Sequence, residues 1–150
     1  MQLTLAAEYA VRTMIHLASL PADDPVPISE ISRLWDIPED FLRKISVQLS
    51  RAGLVRSRRG KTGGIRMAMD PQRITLLDVI EAVEGPIFLN KCLVGPLYCS
   101  RSPWCEAHVV WGEAQEKMKE VLMSRSIAVL AQGSAERRNN LQTNKVKETR

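Results

Sequence analysis

Residues 37–68 read IPEDFLRKISVQLSRAGLVRSRRGKTGGIRMA, and their pattern decides the fold. Ile37-Pro38 breaks what precedes it, and proline suits the first turn of a new helix, where its missing N–H loses no partner. Leu42, Ile45, Leu49 and Ala52 then line one face at helical spacing, up to a stop at Gly53. The opposite face carries Asp40, Arg43, Lys44 and Val47. Leu54-Val55 and Ile65 to Ala68 are short strand-like runs, and Gly60, Gly63 and Gly64 between them permit a tight, basic hairpin.

Working outward, Ser29 begins a short helix carrying Ile31 and Leu34, so two helices meet at a turn just before the hairpin. Helix, turn, helix, hairpin is a winged helix–turn–helix. Further upstream, Thr4 can cap a first helix running to about Leu20, with Leu3, Ala7, Ala10, Met14 and Leu17 at helical spacing and Pro21 ending it. Downstream, Thr75 with Asp78 three residues on opens another helix that closes near Gly85. Ser102-Pro103 signals a fresh start, after which Ala107, Val110, Trp111, Ala114, Met118, Val121 and Leu122 form a long apolar stripe. That stripe exceeds what a small winged domain can cover, so Val110, Ala114, Met118 and Val121 are expected at a homodimer seam. Ser124 can cap a last short helix, Ile127 to Leu130. The expected fold is mainly α with a small β-wing: a winged helix–turn–helix plus a long C-terminal dimerisation helix. The expected units are a DNA-binding domain over 1–85, a cysteine-containing loop over 86–102, dimerisation helices over 103–131 and a disordered polar tail over 132–150.

Composition agrees with that division. At 150 residues, with 45% apolar and 25% charged side chains, the chain can bury one moderate core and carry an extension. No apolar stretch approaches the ~18 to 20 residues needed to cross a bilayer, so a soluble protein is expected. Net charge is only +4, yet eight cations (Arg43, Lys44, Arg51, Arg56, Arg58, Arg59, Lys61 and Arg66) and no carboxylate lie between Phe41 and Met69. Such a field attracts a polyanion, here double-stranded DNA. Arg43 and Lys44 can donate to guanine edges, whereas Asp40 can only accept from cytosine or orient a neighbouring base reader. In the wing, Ser57, Arg58, Arg59 and Lys61 are placed for phosphates or the minor groove.

The chemistry-bearing residues cluster further on. All three cysteines of the chain, Cys92, Cys99 and Cys105, lie with His108 within 17 positions. The odd cysteine count and the lack of an N-terminal signal pattern point to a reducing cytoplasm rather than to a disulfide framework. Three Cys and one His make a complete tetrahedral zinc set, although only Cys105 and His108 have the short spacing usual in structural zinc sites. An iron–sulfur cluster tolerates wider thiolate spacing, and this spacing matches neither ferredoxin pattern, so both metals stay open. No Cys-x-x-Cys, phosphate-binding glycine loop or catalytic carboxylate pair accompanies these residues, and no enzymatic activity is expected.

MQLTLAAEYAVRTMIHLASLP at 1–21, the stretch 37–68 and the cysteine loop together resemble the Rrf family of bacterial winged-helix repressors, which includes IscR, NsrR and RirA. The resemblance runs from Met1 to about Leu130. Its most specific pieces are the helix–wing junction from Leu49 to Gly64 and the three cysteines just ahead of the dimerisation helix. It implies a homodimeric repressor on palindromic operator DNA, with one iron–sulfur cluster per subunit, two-iron or four-iron, sensing nitric oxide, redox state or iron supply. It also implies that the three cysteines bind the cluster. The fourth ligand varies among such proteins between a histidine after the third cysteine and an acidic residue in the other subunit's first helix, and this sequence offers both His108 and Glu8. The gap between Cys92 and Cys99 is one residue longer than the common pattern. The alternative is a regulator of the same build that uses zinc or bare cysteine thiols as its redox switch.

Overall fold

A computed structural model describes residues 3–21, 24–60 and 63–148, with side chains as far as 141. Six helices and one hairpin follow in the order α1 (Leu5–Ala18), α2 (Ile28–Trp35), α3 (Glu39–Arg51), β1 (Val55–Arg58), β2 (Gly64–Met67), α4 (Leu76–Glu84), α5 (Glu106–Met123) and α6 (Ile127–Glu148). The mainly helical, winged architecture is the expected one.

Local signals account for most boundaries. Thr4 caps α1 by accepting from Ala7 N at 3.5 Å, and Thr75 and Asp78 complete a reciprocal capping box on α4. Asp36 ends α2 in the left-handed region, with φ of 52°, a conformation that aspartate tolerates better than bulkier residues do. Pro38 stands one position earlier than expected, at the N-cap of α3.

In the hairpin, Val55 pairs with Met67 and Arg58 with Gly64. A third segment joins it: Val26 and Ile65 exchange backbone bonds of 2.8 and 2.9 Å, so the wing is anchored to the turn before α2. Gly64 lies where this anchor passes closest. A Cβ built there would overlap the Val26 carbonyl and stand 2.8 Å from Pro27 N, both backbone atoms that no rotamer change can move.

The core is built round α1. Its Ala10, Met14 and Leu17 meet Ile31, Leu42, Ile45 and Leu49 from the helix pair, Val55 and Ile65 from the wing, and Ile127 from α6. Four ties hold the remaining elements. Gln48 of α3 donates to Val83 O at 3.1 Å, Thr4 donates twice to Glu84, Lys119 of α5 stands 4.0 Å from Glu81, and Ile127 N donates to Ile74 O at 2.7 Å.

Three expectations change here. Ser124 closes α5 instead of opening α6, and Ser126 supplies the first-turn acceptor of α6 to Val129 N. The polar segment expected to be disordered continues α6 as helix through Glu148; Thr149 and Arg150 lie outside the described residues. Its first turn is nucleated by packing, with Ile127 and Ala131 buried, and the run Ala135 to Arg138 of good helix formers, with a Gln132–Glu136 side-chain bond, carries it past Gly133. The expected boundary at 85 also does not isolate a complete core, because Ile127 lies inside it. Where α6 packs on α1, His16 is buried against Trp35, and His16 Nε2 and Trp35 Nε1 lack hydrogen-bond partners among the described residues. Burial lowers the pKa of His16, Glu30 opposing and Arg138 reinforcing the shift.

Candidate functional site

Two surfaces carry the candidate residues. On the first, α3 and the wing face each other across an open groove of about 580 Å³. Arg43, Ser46 and Val47 line it from the helix, and Ser57, Arg58 and Arg59 from the hairpin. Leu42, Ile45 and Leu49 are buried behind them, so the apolar stripe fixes which residues of α3 point outward. Arg43 is held at 2.9 Å by Glu39, one turn back, in an exposed pair. Such pairs are worth only about 0.3 to 0.5 kcal/mol, so the guanidinium is readily released to another acceptor. Asp40 and Lys44 are exposed on α3 but do not line the groove, and Lys61 lies outside the described residues. Pro27, Ile28 and Ser29 at the start of α2 complete the wall, a contribution that sequence reasoning missed. Ser29 at a helix start was the available signal, since the first backbone N–H groups of a helix favour anions.

The second surface is the segment between α4 and α5, built from three short 3-10 turns, Lys91–Leu93, Pro96–Tyr98 and Ser102–Trp104. Cys92 sits in the first turn, Cys99 ends the second, and Cys105 caps α5. His108 follows on the first turn of α5, its N–H donating to Cys105 O at 2.9 Å. All three cysteines are free and partly buried. With His108, Tyr98 and Trp111 they line one cavity of about 280 Å³. They surround it without converging: among the described residues, no three His, Cys, Asp or Glu side chains stand close enough to hold one metal ion. His108 Nδ1 is buried with no hydrogen-bond partner among the described residues, a costly condition for a polar atom unless a ligand satisfies it. Three cysteines and a histidine lining one cavity are a donor set that fits a thiolate-bound inorganic group. Glu8 is elsewhere in the chain, exposed on the first turn of α1 and paired with Arg12.

The expected seam on α5 divides in two. Val110 and Val121 are 62% and 70% exposed, and Ala114 between them is exposed as well. Met118 instead turns inward with Leu122 onto Leu77, Ile80 and Ile87. Steps of four drift round a helix, so Met118 stands about 80° from Val110, at the edge of the stripe that turns to the body, and the sequence alone did not show where that edge falls.

A family model described as Rrf2, iron-dependent transcriptional regulator, matches residues 3–133. Among solved structures, CymR, the global cysteine regulator of B. subtilis, is similar with a TM-score of 0.69 at 27% identity, over 88% of this chain and 97% of that one. IscR of T. potens gives a TM-score of 0.71 at 25% identity, over 89% and 88%. CymR of Staphylococcus aureus in its oxidized form shares the fold at 22% identity and a TM-score of 0.70, over 87% and 96%.

Proposed function

The chain belongs to the Rrf2 family of transcriptional regulators, and from that membership we propose that its binding to a palindromic operator is controlled by an iron–sulfur cluster held by Cys92, Cys99 and Cys105. Rrf2 regulators bind DNA and act as dimers. The observation that carries the proposal is the single cavity lined by all three cysteines and by His108, whose Nδ1 has no hydrogen-bond partner among the described residues. Donors spread round a cavity suit a group with several metal atoms better than a single tetrahedral ion, whose ligands must all reach one point at about 2.0 to 2.3 Å. His108 is the fourth donor in this reading. Glu8 of a second copy is the alternative, and retention of iron and sulfide by His108→Ala would transfer the role to it.

Such a cluster supplies a centre that nitric oxide, oxidants or iron scarcity can alter chemically. The protein's part is mechanical. The cysteine segment joins α4, which is bonded to the recognition helix through Gln48, to α5, so its order sets how two winged units are spaced in a dimer. Half-sites demand a separation of about 34 to 36 Å or a multiple, and a small tilt then costs affinity. No described helix is long and apolar enough to cross a membrane. We place the protein in the cytoplasm with its DNA. Purification without oxygen tests the central reading: brown protein with iron and acid-labile sulfide is expected, whereas colourless protein with zinc or no metal would replace it with the thiol or zinc switch.

Arg43 in the groove reads bases, with Lys44 and Asp40 on the exposed side of the same helix, while Ser57, Arg58 and Arg59 of the wing, with Lys61, which lies outside the described residues, meet phosphate or the minor groove. Arg43→Ala should cost about 1 to 3 kcal/mol on the operator and relax preference at particular base pairs. Titrations on operator and scrambled duplexes at several salt concentrations check this. Equal proportional losses on both duplexes would reduce the helix to a source of charge.

The dimer seam comprises the exposed face of α5 with Val110, Ala114 and Val121, and Met118 at its inner edge. Val121→Asp should shift the sedimentation profile to monomer without loss of helix content. Met118→Asp is expected to lower the melting temperature as well, because Met118 packs on its own chain. A Val121→Asp protein that stays dimeric at micromolar concentration would displace the seam from this face.

A further inference from the structure

Gln115 is the buried residue of α5, 7% exposed, on a helix that otherwise meets the body through partly covered side chains. A buried amide is costly unless its polar atoms are bonded. Its Oε1 accepts from Leu89 N at 3.1 Å, across 26 positions of sequence. Leu89 lies three residues before Cys92, at the entrance to the cysteine segment. Gln115 also follows His108 by seven residues, two helical turns, so the two side chains share the inner face of α5. Both line a second cavity of about 410 Å³, on which Cys92 also lies. One hydrogen bond therefore joins the backbone leading into Cys92 to the helix that Cys105 heads and His108 occupies.

We infer that Gln115 is a positioning residue that sets Cys92 against Cys105 and His108, an inference resting on the proposed cluster. Nearby contacts hold the same segment less directly: Lys119 stands over the Phe88 ring at 5.8 Å, and Ile87 N reaches Glu81 at 3.4 Å. Neither touches the Leu89 backbone. A leucine at 115 would fill the space but leave the Leu89 N–H unpaired, whereas a glutamate keeps an acceptor oxygen in place.

The test compares wild type, Gln115→Leu and Gln115→Glu as full-length chains, each reconstituted without oxygen from ferrous iron and sulfide. Loss of a supporting hydrogen bond typically weakens metal retention about 10- to 100-fold. Gln115→Leu should therefore show an altered thiolate-to-iron absorption spectrum and bleach at least about tenfold faster in a ferrous chelator. Gln115→Glu should follow wild type in both. Backbone hydrogen exchange over 87–92, measured before iron is added, should be faster in Gln115→Leu alone, with far-UV circular dichroism the same in all three. If wild type takes up no iron, the cluster reading fails, and the exchange comparison still decides whether Gln115 holds the segment. Unchanged exchange in Gln115→Leu, or a spectrum and bleaching rate equal to wild type, would overturn the inference. So would a Gln115→Glu protein that fails as Gln115→Leu does.

Discussion

Anaerobically purified Cys92→Ala, Cys99→Ala and Cys105→Ala proteins are each expected to lose the colour and acid-labile sulfide of the wild type while keeping its helix content. The effect should be near complete because a cluster held by three thiolates in one loop has no spare ligand there; the chain has no other cysteine. The helix content should survive because the three short turns that carry the cysteines are not part of the core, which the segment enters at Ile87 before them. Leu97 at its tip is 98% exposed, Tyr98 and Trp104 are largely exposed, and none of the three short turns contains a buried residue. His108→Ala should lose iron and sulfide as well, whereas retention would give the fourth position to Glu8 of a second copy. Iron and sulfide analysis beside the visible spectrum checks all four. Full sulfide retention in the three cysteine variants would remove the thiols from the site.

The second large effect is expected at Gly64. Its alanine variant places a Cβ against the Val26 carbonyl and near Pro27 N, so the pair of bonds joining Val26 to Ile65 must open. Overpacking of this kind costs about 1 to 3 kcal/mol, and more where the obstacle is backbone. For a chain of this size, each kcal/mol lowers the melting temperature by about 2 to 4 °C. The wing would also lose its anchor, and with it operator binding. Gly60→Ala is the control: its φ of 106° disfavours a side chain, but nothing lies within 4 Å, so its cost is local strain of about 1 to 2 kcal/mol. A Gly64→Ala protein that melts with the wild type would mean that the wing is not held against the turn before α2.

What the sequence disclosed was local. Thr4, Thr75 with Asp78, Gly53 and the hairpin glycines Gly60 and Gly63 act within a few residues of themselves, and each boundary they mark is found within a residue or two, whereas Gly64 answers to the distant Val26. The confinement of the cysteines to one loop was equally visible, and the structure brings them with His108 to one cavity. What escaped was decided by distant partners. Gln115 looks like any surface glutamine until Leu89 is placed beside it, Met118 like any seam residue until Leu77 and Ile80 are. The helix after Gln132 has no apolar period to announce it, and it forms because its first turn is already fixed by the core.

That last packing bears on how the protein is made. Ile127 supplies part of the core that surrounds α1, so the recognition helix and wing leave the ribosome well before their supporting interior can close. From Gly85 to Ile127 is 42 residues (127 − 85), about 2 to 8 s of synthesis at 5 to 20 residues per second. The nascent chain therefore exposes its entire cysteine segment before the DNA-reading surface has a finished core. A chain released early, before Ile127, would carry every proposed DNA-contacting residue yet lack a side chain of the core that supports them.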